Sequence, residues 1–460
     1  MSTATSLTSD LQALVGDPSQ VNAGDSVRRL HGEPFIGHFT GRLPDVVVFP
    51  RSTAEVSAVM AFAFERRIPV VPFGAGSSAE GEIVPVQGGI SLDLTGLQAL
   101  EVRPADLQAT IGAGVTRLAL ERAAGQHGLW FPVDPGADAS LGGMCATNAS
   151  GTTTVRYGSM RQNVLALEVV RADGDVIRTG ARTMKTSAGY NLTNLFVGSE
   201  GTLGVITEAT LRLYGIPEQS VVVRTAFERI EDACACAVAI VGGGLDPLRV
   251  ELLDDAAITW LNAFNGTGMP ERPHLFIELG GSPASLDADV ETTRELAQSF
   301  DSLTFEGSRD PTERSRLWSA RHDFAHAMMD AHRGKSIKGT DTCVPLSELP
   351  AAVQFARVTM QELGLDACVL GHVGDGNYHV TFAVDESDPE EQARVAAGNE
   401  AIVADCLSRG GTCSGEHGIG LGKRAFLAQE HADTIELMRE LKGLLDPRGI
   451  LNPGKILPDA

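Results

Sequence analysis

Short apolar runs, separated by turns that contain glycine or proline, fill the first half of the chain. Between the first two runs, apolar residues recur with a helical period from Val56 to Phe64, and Ser52 or Thr53 predicts where this helix begins. A second amphipathic pattern predicts a helix over 116–127. The apolar runs predict strands over 45–50, 68–72, 90–94, 165–171, 176–179 and 204–213.

Beyond Pro217 the pattern changes to longer blocks in which strand-like and helix-like segments alternate. Helices are predicted to reach Ile240 and to span 286–300, and a final helix is predicted over 434–445. This order is typical of an α+β domain with an antiparallel sheet that carries its helices on one face. The predicted strands of this part are 220–225, 249–253, 274–279 and 304–306.

The composition limits the range of partners. With 460 residues the chain is long enough for two large domains. The net charge of −22 argues against a nucleic-acid partner and against an anionic membrane surface, because both need basic residues. No apolar run approaches the roughly 20 residues of a membrane helix. The stretch from Met1 to Asp25 has no basic residue and no apolar core, which fits neither a secretory signal nor a mitochondrial presequence, so a cytoplasmic location is predicted. The seven scattered cysteines do not predict a disulfide framework.

Three segments of the first half are rich in glycine and small polar residues: 72–78, 134–151 and 198–206. Residues 134–158 as a whole predict a long non-repetitive loop. Loop 72–78 follows a predicted strand, and its backbone N–H groups suit a pyrophosphate. No amphipathic helix follows it, which disfavours a Rossmann site for a nicotinamide dinucleotide, and no lysine precedes Lys185, which excludes a Walker loop. Together the three segments indicate one large phosphate-bearing cofactor.

Two histidines in the segment 371–379 carry the strongest chemical signal. Asp375 and Gly376 predict a two-residue hairpin turn, in which His372 faces His379 with Cβ atoms about 5 Å apart. Two imidazoles at this spacing can bind a metal, and Glu416 could complete a three-ligand site with an open position, leaving His417 as a base. These ligands alone are compatible with a zinc hydrolase. However, the chain has no His-Glu-x-x-His helix, and a hydrolase does not need three glycine-rich loops.

In six segments the chain resembles the FAD-linked D-2-hydroxyacid dehydrogenases, which belong to the vanillyl-alcohol-oxidase (PCMH-type) flavoproteins. Within that family it is most similar to the cytochrome-type D-lactate dehydrogenases and to the FAD-binding subunits of glycolate oxidase. The resemblance implies an α+β fold, with a PCMH-type FAD-binding domain of two subdomains and an α+β cap domain with an antiparallel sheet. The six segments are 72–78, 134–151, 198–206, 371–379, 415–420 and 451–455.

This resemblance also implies the domain order. A helical lead-in is expected over 1–40 and an FAD-binding domain over 41–217. A cap domain for substrate and metal is expected over 218–425, and a C-terminal return to the FAD domain over 426–460.

The site residues are expected from the same resemblance. The catalytic residues are expected to be His417, as the base, and Arg321, which binds the substrate carboxylate. Substrate is expected to contact Arg321, Asn377 and His417. A divalent metal (Zn, Mn or Fe) is expected on His372, His379 and Glu416. Some members of the family attach FAD covalently through a histidine in or near the first glycine-rich loop. Because residues 72–81 contain no histidine, FAD is expected to be non-covalent here. Its expected contacts are Gly74, Gly76, Ser77, Ser78, Asp134, Ser140, Gly142, Gly143, Thr147, Ser150, Ile206 and Asn452.

The implied reaction is the oxidation of a small D-2-hydroxy acid to a 2-oxo acid, with hydride transfer to flavin N5. Members that act on 2-hydroxyglutarate have a threonine and a lysine where this chain has Ala325 and Gly339, so a monocarboxylate such as D-lactate is expected. A glycolate oxidase FAD subunit and a D-2-hydroxyglutarate dehydrogenase stay as alternatives. The sequence has no haem-attachment or iron–sulfur spacing and does not identify the electron acceptor, which could be a cytochrome, a quinone, an electron-transfer flavoprotein or oxygen.

Overall fold

The computed structural model describes residues 2–34, 39 and 41–459, without the side chains of residues 2–5, Ala320 and His322. The chain forms two compact units. The first comprises Met1–Gly151, Tyr157–Ile216 and Glu416–Ala460, and the second comprises Thr152–Arg156 and Pro217–Gly415. The functional domains expected over 1–40, 41–217, 218–425 and 426–460 stay predictions. Part of the expected lead-in, residues 1, 35–38 and 40, lies outside the described residues.

The first unit contains a four-stranded sheet in the order β1-β2-β4-β3, in which β2, β3 and β4 are parallel and β1 is antiparallel. Its strands are β1 (Val21–Asn22), β2 (Val46–Val48), β3 (Val70–Phe73) and β4 (Ile90–Asp93). All residues of β2 and β4 are buried, as parallel strands covered on both faces require. The helix predicted between the first strands is confirmed, since it spans Thr53–Arg66 and the Ser52 side chain accepts a hydrogen bond from the backbone N–H of Glu55.

A five-stranded antiparallel sheet in the order β5-β6-β10-β8-β9 forms the other large sheet of this unit. Its strands are β5 (Leu100–Arg103), β6 (Gln108–Gly112), β8 (Val164–Val170), β9 (Val176–Gly180) and β10 (Val205–Arg212), and a separate pair joins β7 (Leu129–Trp130) to β11 (Tyr214–Gly215). The helices of the unit are α1 (Ser2–Gln12), α2 (Asp25–Leu30), α3 (Thr53–Arg66), α4 (Arg117–Gly125), α5 (Leu141–Thr147), α7 (Met160–Asn163), α8 (Leu192–Phe196), α16 (Arg424–Glu430) and α17 (Ile435–Leu445), and α6 (Thr154–Tyr157) contains a unit boundary.

The prediction of an entirely non-repetitive loop over 134–158 is wrong at α5 and at the short helix α6. Leu141, Met144 and Cys145 are fully or almost fully buried and belong to the same hydrophobic cluster as Ile206 of β10. Their spacing of three and four residues forms one apolar helical face, which the surrounding glycines and hydroxyl residues obscured in the sequence. The helix therefore supplies a rigid wall where the sequence predicted only a loop.

The second unit is built on an antiparallel sheet in the order β15-β12-β14-β13-β18-β19-β16, with β17 pairing with β19. Its strands are β12 (Gln219–Ala226), β13 (Pro247–Leu253), β14 (His274–Gly281), β15 (Glu306–Ser308), β16 (Ser336–Gly339), β17 (Thr342–Cys343), β18 (Ala367–Gly371) and β19 (Asn377–Val384). Its helices are α9 (Ile230–Gly242), α10 (Asp255–Asn265), α11 (Pro283–Ser299), α12 (Pro311–His322), α13 (Phe324–Ala331), α14 (Leu349–Glu362) and α15 (Pro389–Ser408). The predicted α+β class with an antiparallel sheet is confirmed.

The helices of this unit cover both faces of the sheet, so the prediction of helices on one face is wrong. Val221 and Val223 belong to a core cluster with residues of α9 and α14, whereas Val222 belongs to another cluster with Trp318 of α12 and Phe324 of α13. Because successive strand residues point to opposite faces, the two clusters lie on opposite sides of the sheet. In the described part of the chain, no helix is both long and apolar enough to span a lipid bilayer.

His274 is predicted to make the stability of the second unit depend on pH. It is fully buried at the start of β14, and its burial lowers the pKa of the imidazole to about 4 from an ordinary 6.5. The unfolded chain therefore binds a proton on this residue below pH 6.5, and the folded chain does so only below about pH 4. The free energy of unfolding should fall by roughly 2–3 kcal/mol between these two pH values, and urea unfolding at a series of pH values measures it.

The variant His274→Asn keeps a side-chain N–H near the Arg272 carbonyl oxygen, which lies 2.8 Å from Nδ1 of the histidine. We expect this variant to be less stable at neutral pH but to lose much less stability on acidification. The exposed residue His127 provides the control, because His127→Asn should retain the wild-type slope. Equal slopes in wild type and His274→Asn between pH 6.5 and 4 would contradict the assignment.

Candidate functional site

A deep cavity of the first unit opens at the end of β3. It encloses about 1350 Å³ of atom-free space, its open mouth included. The walls come from the loop after β3, from α5 and from the start of β10, together with Asn452 near the C-terminus. Of the residues expected to contact FAD, those in the walls are Gly74, Gly76, Ser77, Ser78, Ser140, Gly142, Gly143, Thr147, Ile206 and Asn452.

Close backbone packing requires two of these glycines. A Cβ atom on Gly74 would lie 2.2 Å from Oγ of Ser140, and a Cβ atom on Gly142 would lie 2.8 Å from the Ala113 backbone. The Ser140 hydroxyl is buried at the N-terminus of α5 and has no hydrogen-bond partner among the described residues. A glycine-lined wall with an unsatisfied hydroxyl fits the phosphate groups of a dinucleotide, which offer acceptor oxygens and need close backbone approach.

Two buried glutamates also line the cavity, Glu82 and Glu200. Burial, together with the nearby charge of Glu82, raises the pKa of Glu200 to about 8, although backbone N–H groups oppose the shift. Burial and the charge of Glu80 also raise the pKa of Glu82. Burial lowers the pKa of Lys455 to about 8. Glu82, Glu200 and Lys455 together therefore carry fewer charges at neutral pH than three exposed residues of these types would.

Glu416 and His417 lie in the wall of the same cavity. Nδ1 of His417 is 3.6 Å from Oε1 of Glu80, and Nε2 is 3.9 Å from Oε1 of Glu416. The two residues after Gly418 fix the segment, because the backbone N–H groups of Ile419 and Gly420 donate to the Glu200 carboxylate at 2.6 and 2.9 Å. Glu200 thus connects the third glycine-rich segment to the segment that carries the expected base.

In the second unit, the two histidines do come together, but the predicted hairpin register is wrong. Leu370 is the residue opposite His379, and the loop between β18 and β19 contains five residues, 372–376. His372 lies in this loop, and its ring centre is 5.6 Å from that of His379 in an edge-to-face arrangement. The loop is longer because Val373 is buried in the core and the backbone N–H of Gly374 donates to the Val250 carbonyl oxygen.

A buried glutamate on β13 connects His372 with Arg321. Glu251 is fully buried, with Oε1 2.6 Å from Nδ1 of His372 and Oε2 2.9 Å from Nε of Arg321. Arg321 reaches this position because Leu317 and Trp318, one turn earlier in α12, are buried against the sheet. Burial alone would raise the pKa of Glu251, but its interactions with His372 and Arg321 outweigh that effect and lower the pKa.

His379 and Asn377 surround a second buried carboxylate, Asp341. Nδ1 of His379 lies 3.2 Å from the Thr340 carbonyl oxygen and 3.8 Å from Oδ1 of Asp341. The Asn377 side-chain amide donates to Oδ1 of Asp341 at 2.9 Å, and the Ser414 hydroxyl donates to Oδ2 at 3.0 Å. Asn377 is thus held in place by Asp341, and its expected contact with substrate stays a prediction.

The structure groups the expected site residues unit by unit. The cavity residues, Glu416 and His417 belong to the first unit, and Arg321, His372, Asn377 and His379 belong to the second. Two expected cofactor contacts are not in the described cavity walls: Asp134, which accepts from the backbone N–H of Gly136, and the buried Ser150. Their roles, and the ligand set of His372, His379 and Glu416, stay predictions.

The buried carboxylates that sequence reasoning missed include those of Glu200, Glu251 and Asp341. For Glu251 a signal was present, because this acidic residue lies between the apolar residues Val250 and Leu252 of a strand and must find a cationic partner when buried. For Asp341 and Glu200 the partners come from segments distant in the sequence, and no local pattern indicates them.

Two family descriptions match the chain. "FAD linked oxidases, C-terminal domain" matches residues 216–456, and "FAD binding domain" matches residues 44–180. The chain is also similar to two curated proteins over most of its length. A protein of Danio rerio named "Probable D-lactate dehydrogenase, mitochondrial" is 46% identical and covers 98% of this chain and 91% of its own length. A protein of Arabidopsis thaliana named "D-lactate dehydrogenase [cytochrome], mitochondrial" is 39% identical and covers 94% of this chain and 76% of its own.

Among solved structures, p-cresol methylhydroxylase with bound substrate has the same fold, with a TM-score of 0.83, 17% sequence identity and coverage of 100% of this chain and 98% of that one. The PCMH-type fold expected from the sequence is therefore confirmed. Two parts of the cavity wall, loop 72–78 and α5, lie within the residues that match the FAD binding domain. From these matches, the chain belongs to the family of FAD-linked oxidases and carries their FAD-binding domain.

Proposed function

We propose that this protein oxidises a D-2-hydroxy acid, with D-lactate as the favoured substrate, to the corresponding 2-oxo acid. The observation that carries the proposal is the position of His417, a candidate base, in the wall of the cavity that the glycine-rich loops form. The names of the two curated relatives, both D-lactate dehydrogenases, support the substrate class. Bound FAD supplies a hydride acceptor at its N5 atom.

The first unit is proposed to bind FAD without a covalent bond. The Ser140 hydroxyl and the backbone of loop 74–78 would hold the pyrophosphate, and Ile206 and Asn452 would approach the ring system. Cys145 does not support a covalent link, because it is fully buried in the core, and burial raises the pKa of its thiol to about 12. A thiol with that pKa is almost never a thiolate at neutral pH and is a poor nucleophile.

Arg321 is proposed to bind the substrate carboxylate. Its Nε is held by Glu251, and its two terminal nitrogens make no hydrogen bond to a residue in the described part of the chain. Two terminal nitrogens in one plane match the two oxygens of a carboxylate, which a lysine cannot imitate. The position of Gly339 in β16 supplies no side chain for a distal carboxylate, and Nζ of the neighbouring Lys338 is 3.7 Å from Glu386. These features favour a monocarboxylate.

A divalent cation (Zn, Mn or Fe) is proposed on His372, His379 and Glu416. The donor set fits, because a neutral histidine that donates from Nδ1 has an unprotonated Nε2 for a metal, and Nδ1 of each histidine faces an oxygen atom. Such a cation would lower the pKa of the substrate hydroxyl. His417 accepts the hydroxyl proton, and the carboxylate of Glu80, 3.6 Å from Nδ1, stabilises the imidazolium that results.

The electron acceptor is proposed to be a cytochrome, with a quinone or an electron-transfer flavoprotein as alternatives. The name of the Arabidopsis relative includes a cytochrome, which favours the first of these. The predicted cytoplasmic location stays a prediction, since both relatives are named as mitochondrial.

Stopped-flow absorbance of the purified full chain tests the proposed function. We expect a flavin spectrum that bleaches rapidly with D-lactate, slowly with glycolate or D-2-hydroxyglutarate and not with L-lactate. Dialysis against a chelator should slow bleaching, and added metal should restore it. A colourless protein that hydrolyses esters or amides would favour the zinc hydrolase. Full activity after complete removal of metal would refute the role of the cation.

The substitution Gly74→Ala is predicted to weaken FAD binding. The new methyl group would lie 2.2 Å from the Ser140 hydroxyl and must displace it from the cavity wall. Loss of one or two phosphate contacts should raise the dissociation constant of FAD about 10-fold or more, as measured by flavin fluorescence on dilution. Gly125→Ala, at the end of α4, is the matched control, since its Cβ atom would meet no atom within 4 Å. Unchanged FAD affinity in Gly74→Ala would contradict the assignment.

A further inference from the structure

One carboxylate in the second unit connects two groups to which the proposed function gives different tasks. Oε1 of Glu251 is 2.6 Å from Nδ1 of His372, an expected metal ligand, and Oε2 is 2.9 Å from Nε of Arg321, the proposed carboxylate-binding residue. The three side chains come from β13, from α12 and from the loop after β18. Tertiary folding alone brings them together.

The surroundings of Glu251 are apolar. Its strand neighbours Val250 and Leu252 lie in one core cluster, and Leu253 and the facing residue Phe276 lie in the other. Placing a fully buried charge in such surroundings is unfavourable unless it is paired, and an apolar residue of similar volume would stabilise a sheet at least as well. A contribution to stability is therefore a weak explanation for this residue.

We propose that Glu251 is a positioning residue that fixes the ring of His372 and the guanidinium plane of Arg321 as a single rigid assembly. The proposal rests on the proposed function and extends it to a residue to which that function assigns no task. Because a carboxylate can only accept, the neutral histidine beside it must donate from Nδ1 and present Nε2 to a metal. The same carboxylate holds Nε of Arg321, so the two terminal nitrogens face the substrate together.

Glu278 on the adjacent strand provides a comparison within the same sheet. It is also buried and accepts from Arg249 at 3.1 Å and from the Ser220 hydroxyl at 2.8 Å. Neither partner is an expected ligand of metal or substrate. Both glutamates are thus buried strand carboxylates with an arginine partner, but only Glu251 is bonded to residues of the proposed site.

The experiment compares Glu251→Gln and Glu278→Gln with the wild type, each as full-length flavoprotein. Three quantities are measured: the dissociation constant of Zn²⁺ for metal-depleted protein, KM and kcat for D-lactate, and the melting temperature. The glutamine amide has one oxygen that accepts hydrogen bonds and one nitrogen that only donates. It therefore cannot accept hydrogen bonds from His372 and Arg321 through two separate atoms, as the carboxylate does. We expect Glu251→Gln to weaken Zn²⁺ binding 10–100-fold and to raise KM about 10-fold or more, with the FAD content unchanged. Glu278→Gln should lower the melting temperature and leave the Zn²⁺ affinity and KM unchanged.

If Glu251→Gln does not fold, Glu251→Asp is used, since it keeps the charge but is too short to contact both partners. If neither variant folds, ¹⁵N chemical shifts of His372 in the wild type report the tautomer, and a proton on Nε2 overturns the proposal. Wild-type Zn²⁺ affinity and KM in Glu251→Gln also overturn it. If the wild-type protein neither binds Zn²⁺ nor oxidises D-lactate, the proposed function itself is refuted. The positioning role of Glu251 is then refuted as well, because it depends on that function.

Discussion

Replacing His372 with alanine is expected to abolish divalent-metal binding and to lower kcat/KM for D-lactate by at least about 10³-fold. The physical reason is that the cation would stabilise the negative charge that develops on the substrate hydroxyl, an effect worth several kcal/mol, and about 1.4 kcal/mol corresponds to each factor of ten. The loss should appear in single-turnover flavin bleaching as well as in steady-state rates. Metal binding is measured separately by titration of the metal-depleted protein.

This variant should retain FAD, because the cavity that the glycine-rich loops form belongs to the first unit and His372 belongs to the second. His332→Ala is the matched control. That histidine pairs with Asp366 and packs against Trp260 in the second unit, with no contact to the proposed ligands among the contacts described. A His372→Ala protein that binds metal as tightly as the control, or that reduces its flavin at the wild-type rate, would remove His372 from the site.

Replacing His417 with glutamine is expected to lower kcat by 10²–10⁴-fold, the range that general-base catalysis contributes. KM should change little, because the substrate carboxylate is assigned to Arg321 and not to this residue. The amide of glutamine fills a similar volume but accepts no proton at neutral pH. Flavin bleaching by D-lactate should therefore slow without loss of FAD, as judged from the absorbance spectrum of the purified variant.

Chemical rescue separates the base from a structural role. The smaller variant His417→Ala removes an imidazole from the cavity wall, so added imidazole should restore part of the bleaching rate with a dependence on its neutral form. The half-buried His431, also in the first unit, gives the control variant His431→Gln, which should behave as wild type. If His417→Gln bleaches within threefold of wild type, another group takes the hydroxyl proton.

The sequence predicted most of the strands and several helices because their patterns are local. The run of three valines in β2 and the apolar period of α3 each fix an element without reference to distant residues. The helix α5 was missed because glycine and small residues dominate its seven positions. Its apolar face was recognised only from the structure, in which this face packs in the same cluster as Ile206. Likewise, the helices on the second face of the sheet in the second unit could not be assigned from strand patterns alone.

The histidine hairpin shows how a correct conclusion can follow from a wrong geometry. The sequence predicted that His372 and His379 are neighbours, and their rings are 5.6 Å apart. The predicted two-residue turn nevertheless failed, since a hydrogen bond to the Val250 carbonyl oxygen and burial of Val373 lengthen the loop to five residues. Turn rules describe a hairpin in isolation, and tertiary contacts override them where the loop packs against a core.

By itself, the sequence determined the family, the glycine-rich loops and the residue types able to do the chemistry, because these depend on order along the chain. Only the tertiary structure decided which carboxylates orient those residues: Glu251 for His372 and Arg321, and Glu200 for the segment that follows His417. A buried acid is tolerated only when the fold supplies its partners, and these partners lie 70 to 219 positions away along the chain. No local pattern of hydrophobic and polar residues encodes such a distance.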